Sequence, residues 1–339
     1  MSEIAVIGAG AWGTALSIVA GRGGRHGVRL WAHEEAVRDS VNTQHVNELF
    51  LPGQPIPGVV RASNDLEDAL RGAEIVVSVM PSHHCRRLFE SMRPYLLEEM
   101  LFVSATKGLE DETHLRMTEV ISQVLAPNPS FHLRIGALSG PSFAKEVARG
   151  DPTAITVASR DAGLAQTVQQ VFSDPRFRLY TNQDVIGVEL GGSLKNVIAI
   201  AAGICDGLGL GHNSAAALIT RGLAEMTRLA VACGGRRETM AGLAGLGDLV
   251  LTCTGGLSRN RRVGVELGRG RRLPEIIGDM HGMVAEGVLT THAAVGLANA
   301  FGVEMPITEK MQAILHGGKP PGEAIHELMT RSVKSELWL

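Results

Sequence analysis

Two patterns of apolar positions divide the chain at residues 183–190. Before this point, short runs rich in β-branched residues alternate with segments whose apolar residues recur at helical spacing. This alternation is typical of a mostly parallel sheet with crossover helices. After this point, long segments rich in Ala, Leu, Met and Gly follow one another. The sequence therefore predicts an α/β domain with a doubly wound sheet, followed by an all-helical C-terminal domain.

The same patterns locate the individual elements. We expect strands at residues 4–8, 28–31, 74–80, 101–106, 154–159 and 177–181, with helices between them at 65–70, 112–125 and 161–172. In the second half, helices are expected at 184–205, 214–233, 259–267, 290–300 and 307–315. No Pro- or Ser-rich spacer separates the halves, so the boundary is expected inside a helix. The predicted domains are residues 1–186 and 187–339.

Composition and charge narrow the class of protein. The chain has 339 residues, of which 45% are apolar and 20% charged, as is typical of a folded protein of two domains. A formal net charge of −3 gives no global basic field of the kind that nucleic-acid-binding proteins use. The four cysteines are far apart and form no C-x-x-C pair, so we expect reduced thiols of a cytosolic protein.

The apolar segments do not predict a membrane protein. A strand pattern begins at residue 3, which leaves no room for a signal peptide. The most apolar window, residues 196–205, lies between Lys195 and Asp206 and is shorter than the roughly 20 residues of a membrane span. We therefore expect a cytoplasmic protein without stable membrane insertion.

A glycine-rich turn follows the first strand in IAVIGAGAWGTALS. Gly8, Gly10 and Gly13 form G-x-G-x-x-G between a strand and a helix start, which is the context in which this motif binds a dinucleotide. The glycines allow the tight turn, the approach of backbone N–H groups to a pyrophosphate, and helix-on-strand packing. We therefore predict that residues 1–186 form a Rossmann-like domain that binds NADP or NAD, rather than a merely tight turn.

The choice between the two cofactors depends on His33. This residue follows the second strand, where an NAD-selective site places an acidic residue for the ribose. A histidine there can donate to a 2′-phosphate, which favours NADP, but it can equally be a solvated loop residue. His83 and His84 follow the strand at 74–80 and are expected to flank the cofactor. Neighbouring histidines seldom converge on one ion, so no metal site is predicted.

Lysine is rare in this chain, with six residues against 26 arginines. Lys107 follows the fourth strand, and Lys195 lies on a helix whose other residues are apolar or small. A buried ammonium is costly unless an acid or a ligand meets it, although the long side chain could instead reach solvent. In a reaction that moves a hydride, lysine can handle the proton, which arginine cannot. Gly191 and Gly192, nearby, predict a close approach to the helix backbone.

The stretch GLGDLVLTCTGGLSRNRRVG combines one acid, Asp248, with a basic helix start. Ser258 is a suitable N-cap, and the backbone N–H groups, the Asn260 side chain and Arg259 can converge on a phosphate. Arg261 points away from Arg259 on a helix and is expected to be solvated. The alternative is an exposed basic helix face. The predicted ligand is a small phosphorylated molecule.

Seven segments carry a resemblance to a known family: GAGAWGTAL, SATKGLE, LSGPSFAKEVA, GVELGGSLKNVIAIAAGI, ALITRGLAEM, GLAGLGDLVLTCTGGLSRNRRVG and MVAEGV. Over nearly all 339 residues the chain resembles bacterial-type NAD(P)-dependent glycerol-3-phosphate dehydrogenases. The resemblance implies interconversion of glycerone phosphate, a phosphorylated three-carbon substrate, and sn-glycerol 3-phosphate, which supplies phospholipid synthesis. It also implies a homodimer.

The resemblance further assigns site residues by position. It implies that Lys195 handles the proton, with substrate contacts at Lys107, Gly140, Ser142, Lys195, Asp248, Ser258, Arg259 and Asn260. The cofactor contacts, including the glycines of the turn, are Gly8, Gly10, Ala11, Trp12, Gly13, His33, Lys107, Ala144, Arg259, Val284 and Glu286. The residues themselves indicate only a Gly-Pro turn that Ser142 caps into a helix, and a helix start with Glu286 in its first turn.

Two rival functions stay open on the sequence alone. A β-hydroxyacid or sugar-phosphate dehydrogenase also joins a Rossmann domain to a helical domain with a Gly-Gly…Lys-Asn helix, but it requires a carboxylate site. A non-catalytic NADP sensor would close on the cofactor without using a titratable amine at Lys195. Reduction of glycerone phosphate tests the first rival, and replacement of Lys195 tests the second.

Overall fold

The computed structural model describes residues 2–126, 133–280, 284–333 and 335–336. Its contacts divide the chain into two compact units. We call them the N-terminal unit (Met1–Lys107 and Arg116–Val188) and the helical unit (Gly108–Leu115 and Glu189–Leu339). That residues 1–186 bind the cofactor and residues 187–339 bind the substrate stays a prediction.

An eight-stranded sheet forms the centre of the N-terminal unit. The strands are β1 (Glu3–Ile7), β2 (Gly27–Trp31), β3 (Val60–Ser63), β4 (Ile75–Ser78), β5 (Leu101–Ser104), β6 (Arg134–Ser139), β7 (Thr153–Ser159) and β8 (Phe177–Asn182). Their order is β3-β2-β1-β4-β5-β6-β7-β8, and only the β6–β7 pair is antiparallel. Strands β4 and β5 are buried at every residue, as expected for a sheet covered on both faces. The Rossmann-like prediction is confirmed.

Helices connect the strands of this unit. They are α1 (Ala11–Gly21), α2 (Glu35–Gln44), α3 (Leu66–Leu70), α4 (Cys85–Met92), α5 (Met117–Leu125), α6 (Ala144–Arg149) and α7 (Ala162–Phe172). The large apolar side chains beneath them, including Leu16, Leu30, Val77 and Phe172, form one buried core with the sheet. The six predicted strands are all present, which leaves two strands that the sequence pattern missed.

The missed strands are β3 and β6. Strand β3 has four residues, is the edge of the sheet and exposes Arg61, so its apolar signal is short and interrupted by charge. Strand β6 contains Gly136, where an added Cβ would lie 2.7 Å from the carbonyl oxygen of Ala158 on β7. A glycine in a strand often marks such a close approach, but in sequence it looks like a break.

The predicted helix at 112–125 was wrong in its first turn. Helix α5 begins at Met117, and residues 108–115 form a turn that belongs to the helical unit. In this turn the Glu110 N–H donates to the Leu115 carbonyl (2.9 Å) and the His114 N–H donates to the Glu110 carbonyl (2.9 Å). His114 has a φ of 59°, which a right-handed helix does not allow.

The described part of the helical unit consists of helices and their connections. The helices are α8 (Val185–Gly207), which begins in the N-terminal unit, α9 (His212–Ala232), α10 (Arg237–Met240), α11 (Asp248–Thr254), α12 (Arg259–Gly268), α13 (Leu273–Gly278), α14 (Glu286–Phe301), α15 (Pro306–Leu315) and α16 (Pro321–Met329). All five helices predicted for this half are present. The short helices α10, α11 and α13, and the terminal α16, were not predicted.

Helices α8 and α12 cross with their backbones in contact. An added Cβ on Gly203 would lie 2.0 Å from the carbonyl oxygen of Arg261, and one on Gly264 would lie 2.0 Å from that of Ile200. Only residues without a side chain allow two helices to approach this closely. The crossing fixes where α12 begins relative to the middle of α8.

Helix α8 is apolar because it is a core helix. It has 23 residues and a mean hydropathy of 1.5 over its most apolar 18 residues, so by length and composition it could cross a membrane. It is longer than the apolar window at 196–205 that the sequence analysis considered. However, 89% of that segment is buried inside the protein, and core helices of soluble proteins pass the same test. Its apolarity is weak evidence for a membrane span.

Candidate active site

The glycine-rich turn has the geometry that the motif predicted. Gly8 has a φ of +119°, and an added Cβ would lie 2.3 Å from the carbonyl oxygen of Val79. An added Cβ on Gly13 would lie 1.8 Å from the carbonyl oxygen of Gly8, so α1 packs directly on the turn. Asn47, which was not predicted as a site residue, stabilises the turn through its side chain. Its Nδ2 donates to the Ala9 carbonyl and to the Thr14 hydroxyl, both at 2.8 Å.

The start of α1 fits an anionic cofactor. Gly10 is its N-cap, and no side chain caps it among the residues that the structure describes. The space where a Gly10 side chain would lie is open. In the first turn of α1, next to Ala11, the Trp12 Nε1 is buried and has no hydrogen-bond partner within the described chain. Unoccupied donors at a helix start are suited to a pyrophosphate, so these residues fit NADP or NAD.

His33 lies directly after β2 with an exposed side chain. The loop is held by Asn64, whose Nδ2 donates to the Ala32 carbonyl (2.6 Å) and to the His33 carbonyl (3.4 Å). Its position is therefore fixed through the backbone, and its imidazole ring is available to solvent or to a ligand.

Three predicted residues meet at the carbonyl of Gly140. The Lys107 Nζ donates to this oxygen at 3.3 Å, and the Ser142 hydroxyl donates to it at 2.9 Å. Gly140 has a φ of +147°, and an added Cβ would lie 2.9 Å from Ile155 Cα. The prediction that Ser142 caps the next helix was wrong. Helix α6 begins at Ala144, and its N-cap is Phe143, because the Ser142 hydroxyl is turned back onto Gly140.

Lys195 is buried and paired. Its Nζ donates to Asp248 Oδ1 at 2.6 Å and to the Thr252 hydroxyl at 2.7 Å, and only 7% of its side chain is exposed. The Asp248 side chain is 1% exposed. The alternative in which Lys195 reaches solvent is therefore wrong. A buried ammonium is tolerated when an acid and a hydroxyl satisfy it, as they do here.

A glycine on α8 makes this pair possible. An added Cβ on Gly191 would lie 2.4 Å from the carbonyl oxygen of Ala244, so the single π-helical turn Leu243–Gly247, which leads into α11, packs on the bare α8 backbone. Lys195 follows Gly191 by four residues and Asp248 follows Ala244 by four residues, so each pair shares one helix face. The close approach of the backbones one turn earlier therefore brings the ammonium and the carboxylate together.

The start of α12 is tied to α8 and α14. The Ser258 hydroxyl accepts from the Arg261 N–H at 3.1 Å, so Ser258 is the N-cap that the sequence predicted. The Asn260 Nδ2 donates to Asn196 Oδ1 at 2.9 Å, and the Gly287 N–H donates to Asn260 Oδ1 at 3.0 Å. Because Asn196 follows Lys195 in the chain, these bonds connect the helix start to the buried amine.

Arg259 is the basic side chain that this helix start presents. It is exposed, yet desolvation by the surrounding protein lowers the pKa of its guanidinium, while Glu286 opposes that shift. An arginine keeps its charge under these conditions. Glu286 is the first residue of α14 and follows Val284, which is half-buried. Arg261 is half-buried, and its Nη2 donates to the exposed Asp206 at 2.8 Å, an ion pair that the sequence did not predict.

The predicted residues thus form two groups, one within each unit. The first is the glycine-rich turn, Trp12 and His33 at the ends of β1 and β2, with the Lys107–Gly140–Ser142 contact. The second joins Lys195 and Asp248 to the start of α12 and to Glu286. Thr252 was missed, although its place four residues after Asp248 puts both side chains on one helix face. Within the described residues, no three potential ligands come together for a metal.

Comparison with known proteins supports the same interpretation. A sequence profile of the NAD-dependent glycerol-3-phosphate dehydrogenase N-terminus matches residues 3–165, and one of the C-terminus matches residues 184–326. Glycerol-3-phosphate dehydrogenase (NAD(P)+) of Koribacter versatilis is 70% identical, with 100% of both chains covered. The enzyme of the same name from Acidobacterium capsulatum is 58% identical, with 99% of this chain and 100% of the relative covered.

A solved structure agrees in both units. The crystal structure of glycerol-3-phosphate dehydrogenase from Coxiella burnetii is 42% identical in sequence to this chain. The match covers 97% of this chain and 99% of that one, with a TM-score of 0.92. Both family profiles together match well over half of the chain. The chain therefore belongs to the NAD-dependent glycerol-3-phosphate dehydrogenase family.

Proposed function

We propose that this chain interconverts glycerone phosphate and sn-glycerol 3-phosphate, with NADP or NAD as the hydride carrier. As a member of its family it is an NAD(P)-dependent oxidoreductase. The observation that carries the proposal is the buried Lys195–Asp248 pair, 2.6 Å apart and joined through Asn196 to the start of α12. This arrangement combines a group that exchanges protons with a group that binds phosphate, which the reaction requires together.

The proton chemistry belongs to Lys195. The nicotinamide, when bound, supplies or accepts the hydride. Lys195 donates a proton to the carbonyl oxygen of glycerone phosphate during reduction and removes one from the hydroxyl during oxidation. Asp248 and Thr252 hold the ammonium in one orientation, so that little rearrangement is needed when the substrate binds. In the N-terminal unit, the glycine-rich turn, Trp12, His33, Lys107 and Ala144 are the proposed cofactor contacts.

The phosphate of the substrate is proposed to bind at the start of α12. Helix starts carry a partial positive charge and unpaired N–H groups, and both favour a phosphate. Arg259 adds a permanent charge and bidentate donors. Lys107, Gly140, Ser142, Asp248, Ser258 and Asn260 complete the proposed substrate contacts. Arg259, Val284 and Glu286 are proposed to contact the cofactor as well.

An activity assay tests the proposed function directly. Purified protein is mixed with glycerone phosphate and NADPH or NADH, and loss of the reduced nicotinamide is followed by absorbance. We expect turnover on the order of ten per second, the median for enzymes. Phosphate-free glycerone and 3-oxopropanoate, the β-oxoacid whose reduction gives the β-hydroxyacid 3-hydroxypropionate, serve as comparison substrates. Faster reduction of the β-oxoacid would favour the first rival, and cofactor binding without any turnover would favour the sensor.

Replacing Arg259 by alanine tests the phosphate site. We expect KM for glycerone phosphate to rise roughly tenfold to a hundredfold, because a hydrogen bond to a charged group contributes about 1.5–3 kcal/mol. Activity with phosphate-free glycerone should fall much less. Arg269→Ala is the matched control, since Arg269 is an exposed arginine at the other end of α12. Equal losses with both substrates, or an unchanged KM, would reject the assignment of Arg259.

The same proposal places the enzyme in the cytoplasm as a homodimer without membrane insertion. Burial of α8 inside the protein supports the last point. The four cysteines are free thiols, three of them buried, as suits a reducing compartment. Homodimers are the commonest oligomers of soluble proteins. Light scattering of the purified protein measures the oligomeric state, and a monomeric mass would contradict this part of the proposal.

A further inference from the structure

Two loops of the N-terminal unit bring basic side chains to one place. His33 follows β2, and His84 and Arg87 follow β4. In the sheet, β2 and β4 lie on either side of β1, and all three are parallel. Both loops therefore leave the same edge of the sheet, on either side of the glycine-rich turn, where open α/β sheets bind their ligands.

The basic groups are close enough to repel one another. Burial lowers the pKa of His84, and repulsion from Arg87 and from His33 lowers it further. The ring of His83 packs beside that of His84, with 3.9 Å between centroids, and burial, followed by repulsion from His84, lowers the pKa of His83. The side chains of His33, His84 and Arg87 are all exposed, so a bound anion can reach them from solvent. A gathering of like charges at a ligand edge is suited to an anion.

We propose that His84 and Arg87 act with His33 as the binding site for the 2′-phosphate of NADP, and thereby determine the preference for NADP over NAD. The inference rests on the proposed function, because it concerns the cofactor of that reaction. NAD carries a neutral hydroxyl at this position, whereas a phosphate monoester carries about −1.5 to −2 charge at pH 7. Cationic groups at this site therefore distinguish the two cofactors.

The composition of the site makes the preference depend on pH. Arg87 stays charged, whereas the histidines carry a full charge only when protonated. A bound phosphate favours the protonated histidines, so NADP binding takes up protons from solution. The preference for NADP is greatest at low pH and declines as pH rises through the pKa of His84. Burial, followed by repulsion from Arg87 and from His33, lowers the pKa of His84, so this histidine becomes protonated only below the usual pH range of a histidine.

Other charged groups lie on the elements around the site and modify its attraction for a phosphate. Glu34 and Glu35 follow His33 and repel the same phosphate, which leaves NAD as an acceptable cofactor. Arg38 and Asp39 on α2 pair with each other at 2.8 Å, and Arg86 donates to Gln123. The charged or titratable groups on the elements around the site are Glu34, Glu35, Arg38, Asp39, Asp65, His83, Arg86 and Glu90.

A kinetic experiment measures the preference. kcat/KM for NADPH and for NADH is determined at saturating glycerone phosphate from pH 6 to pH 9 for wild type, His84→Gln, Arg87→Gln and the double variant. In wild type we expect the NADPH/NADH ratio to fall roughly tenfold over this range. Arg87→Gln should lower the ratio about tenfold at every pH, as expected for one charged hydrogen bond. His84→Gln should flatten the pH dependence.

Two controls make the kinetic result specific. His212→Gln removes an exposed histidine at the start of α9 in the helical unit and should follow the wild-type curve. The 2′-phosphate itself titrates near pH 6, but it does so equally for all variants. A ratio and a pH dependence in the double variant that match wild type within twofold would overturn the proposal.

A binding measurement separates this inference from the proposed function. Calorimetry compares adenosine 2′,5′-bisphosphate with AMP, neither of which can react. We expect tighter binding of the bisphosphate, proton uptake that grows between pH 8 and pH 6.5, and loss of both differences in the double variant. Equal binding of the two ligands in wild type would reject the 2′-phosphate site. If these differences appear and glycerone phosphate is not reduced, the proposed reaction fails while the cofactor site stands.

Discussion

Replacing Lys195 by arginine is expected to lower kcat at least about a hundredfold, the usual contribution of a general acid or base. Arginine keeps a positive charge beside Asp248 but does not release its proton. NADPH binding, measured by the fluorescence of the nicotinamide, should be retained because the proposed cofactor contacts of the N-terminal unit are unchanged. Lys145→Arg is the matched control, since Lys145 is exposed. Turnover within threefold of wild type would reject Lys195 as the proton donor.

A second pair of variants separates chemistry from folding. Lys195→Met alone leaves the Asp248 carboxylate buried without its cation, and breaking a buried pair in this way costs about 3–5 kcal/mol. Lys195→Met combined with Asp248→Asn removes both charges and should recover most of that stability, measured by urea unfolding. Activity should stay lost in the double variant. Recovery of activity together with stability would mean that Lys195 serves the fold and not the reaction.

Replacing Gly191 by alanine is expected to weaken both the fold and the reaction. The new Cβ would lie 2.4 Å from the carbonyl oxygen of Ala244, so the turn Leu243–Gly247 must move away from α8. Overpacking of this kind costs about 1–3 kcal/mol or more, against a gain of about 1 kcal/mol in helix propensity. We expect a net loss of up to about 2 kcal/mol in the free energy of unfolding and a drop in kcat, because Asp248 is displaced from Lys195.

The control for this variant is Gly211→Ala. Gly211 precedes α9, has a φ of −77°, and has no heavy atom within 4 Å of an added Cβ. Its replacement should lower the free energy of unfolding by about 1 kcal/mol, because alanine is a poorer N-cap than glycine, and should leave kcat unchanged. If Gly191→Ala were as stable and as active as Gly211→Ala, the close backbone approach would not determine the geometry of the Lys195–Asp248 pair.

Structural features that depend on a few neighbouring residues were mostly predicted correctly. The glycine-rich turn was identified because its strand, its glycines and the start of α1 are consecutive in the chain. Ser258 was identified as an N-cap for the same reason, since a cap bonds to an N–H three residues away. Failures at this scale have local causes too. Ser142 was assigned as a cap, in which its hydroxyl would accept from a backbone N–H, but the hydroxyl instead donates to the Gly140 carbonyl at 2.9 Å.

Contacts between distant parts of the chain were predicted only in part. The sequence indicated that a buried Lys195 ammonium needs an acid or a ligand. It did not decide whether the ammonium pairs with an acid such as Asp248 or reaches solvent. The ion pair of Arg261 with Asp206, at 2.8 Å, was not predicted because Asp206 is 55 residues away in the chain. Strand β6 was missed because the reason for Gly136, the approach of β7, lies on another strand.

By itself, the sequence determined the class of each half and the chemistry that its residues offer. A Rossmann-like half follows from periodicity and a glycine motif, and a helical half with an amine and a basic helix start follows from composition and spacing. Only the tertiary structure decided that Asp248 and Thr252 meet Lys195, that Asn260 bonds to Asn196, and that β2 and β4, with the basic groups after them, lie on either side of β1. The physical reason is that periodicity reports which face of an element is buried, whereas close backbone approaches between distant segments decide which side chains come into contact.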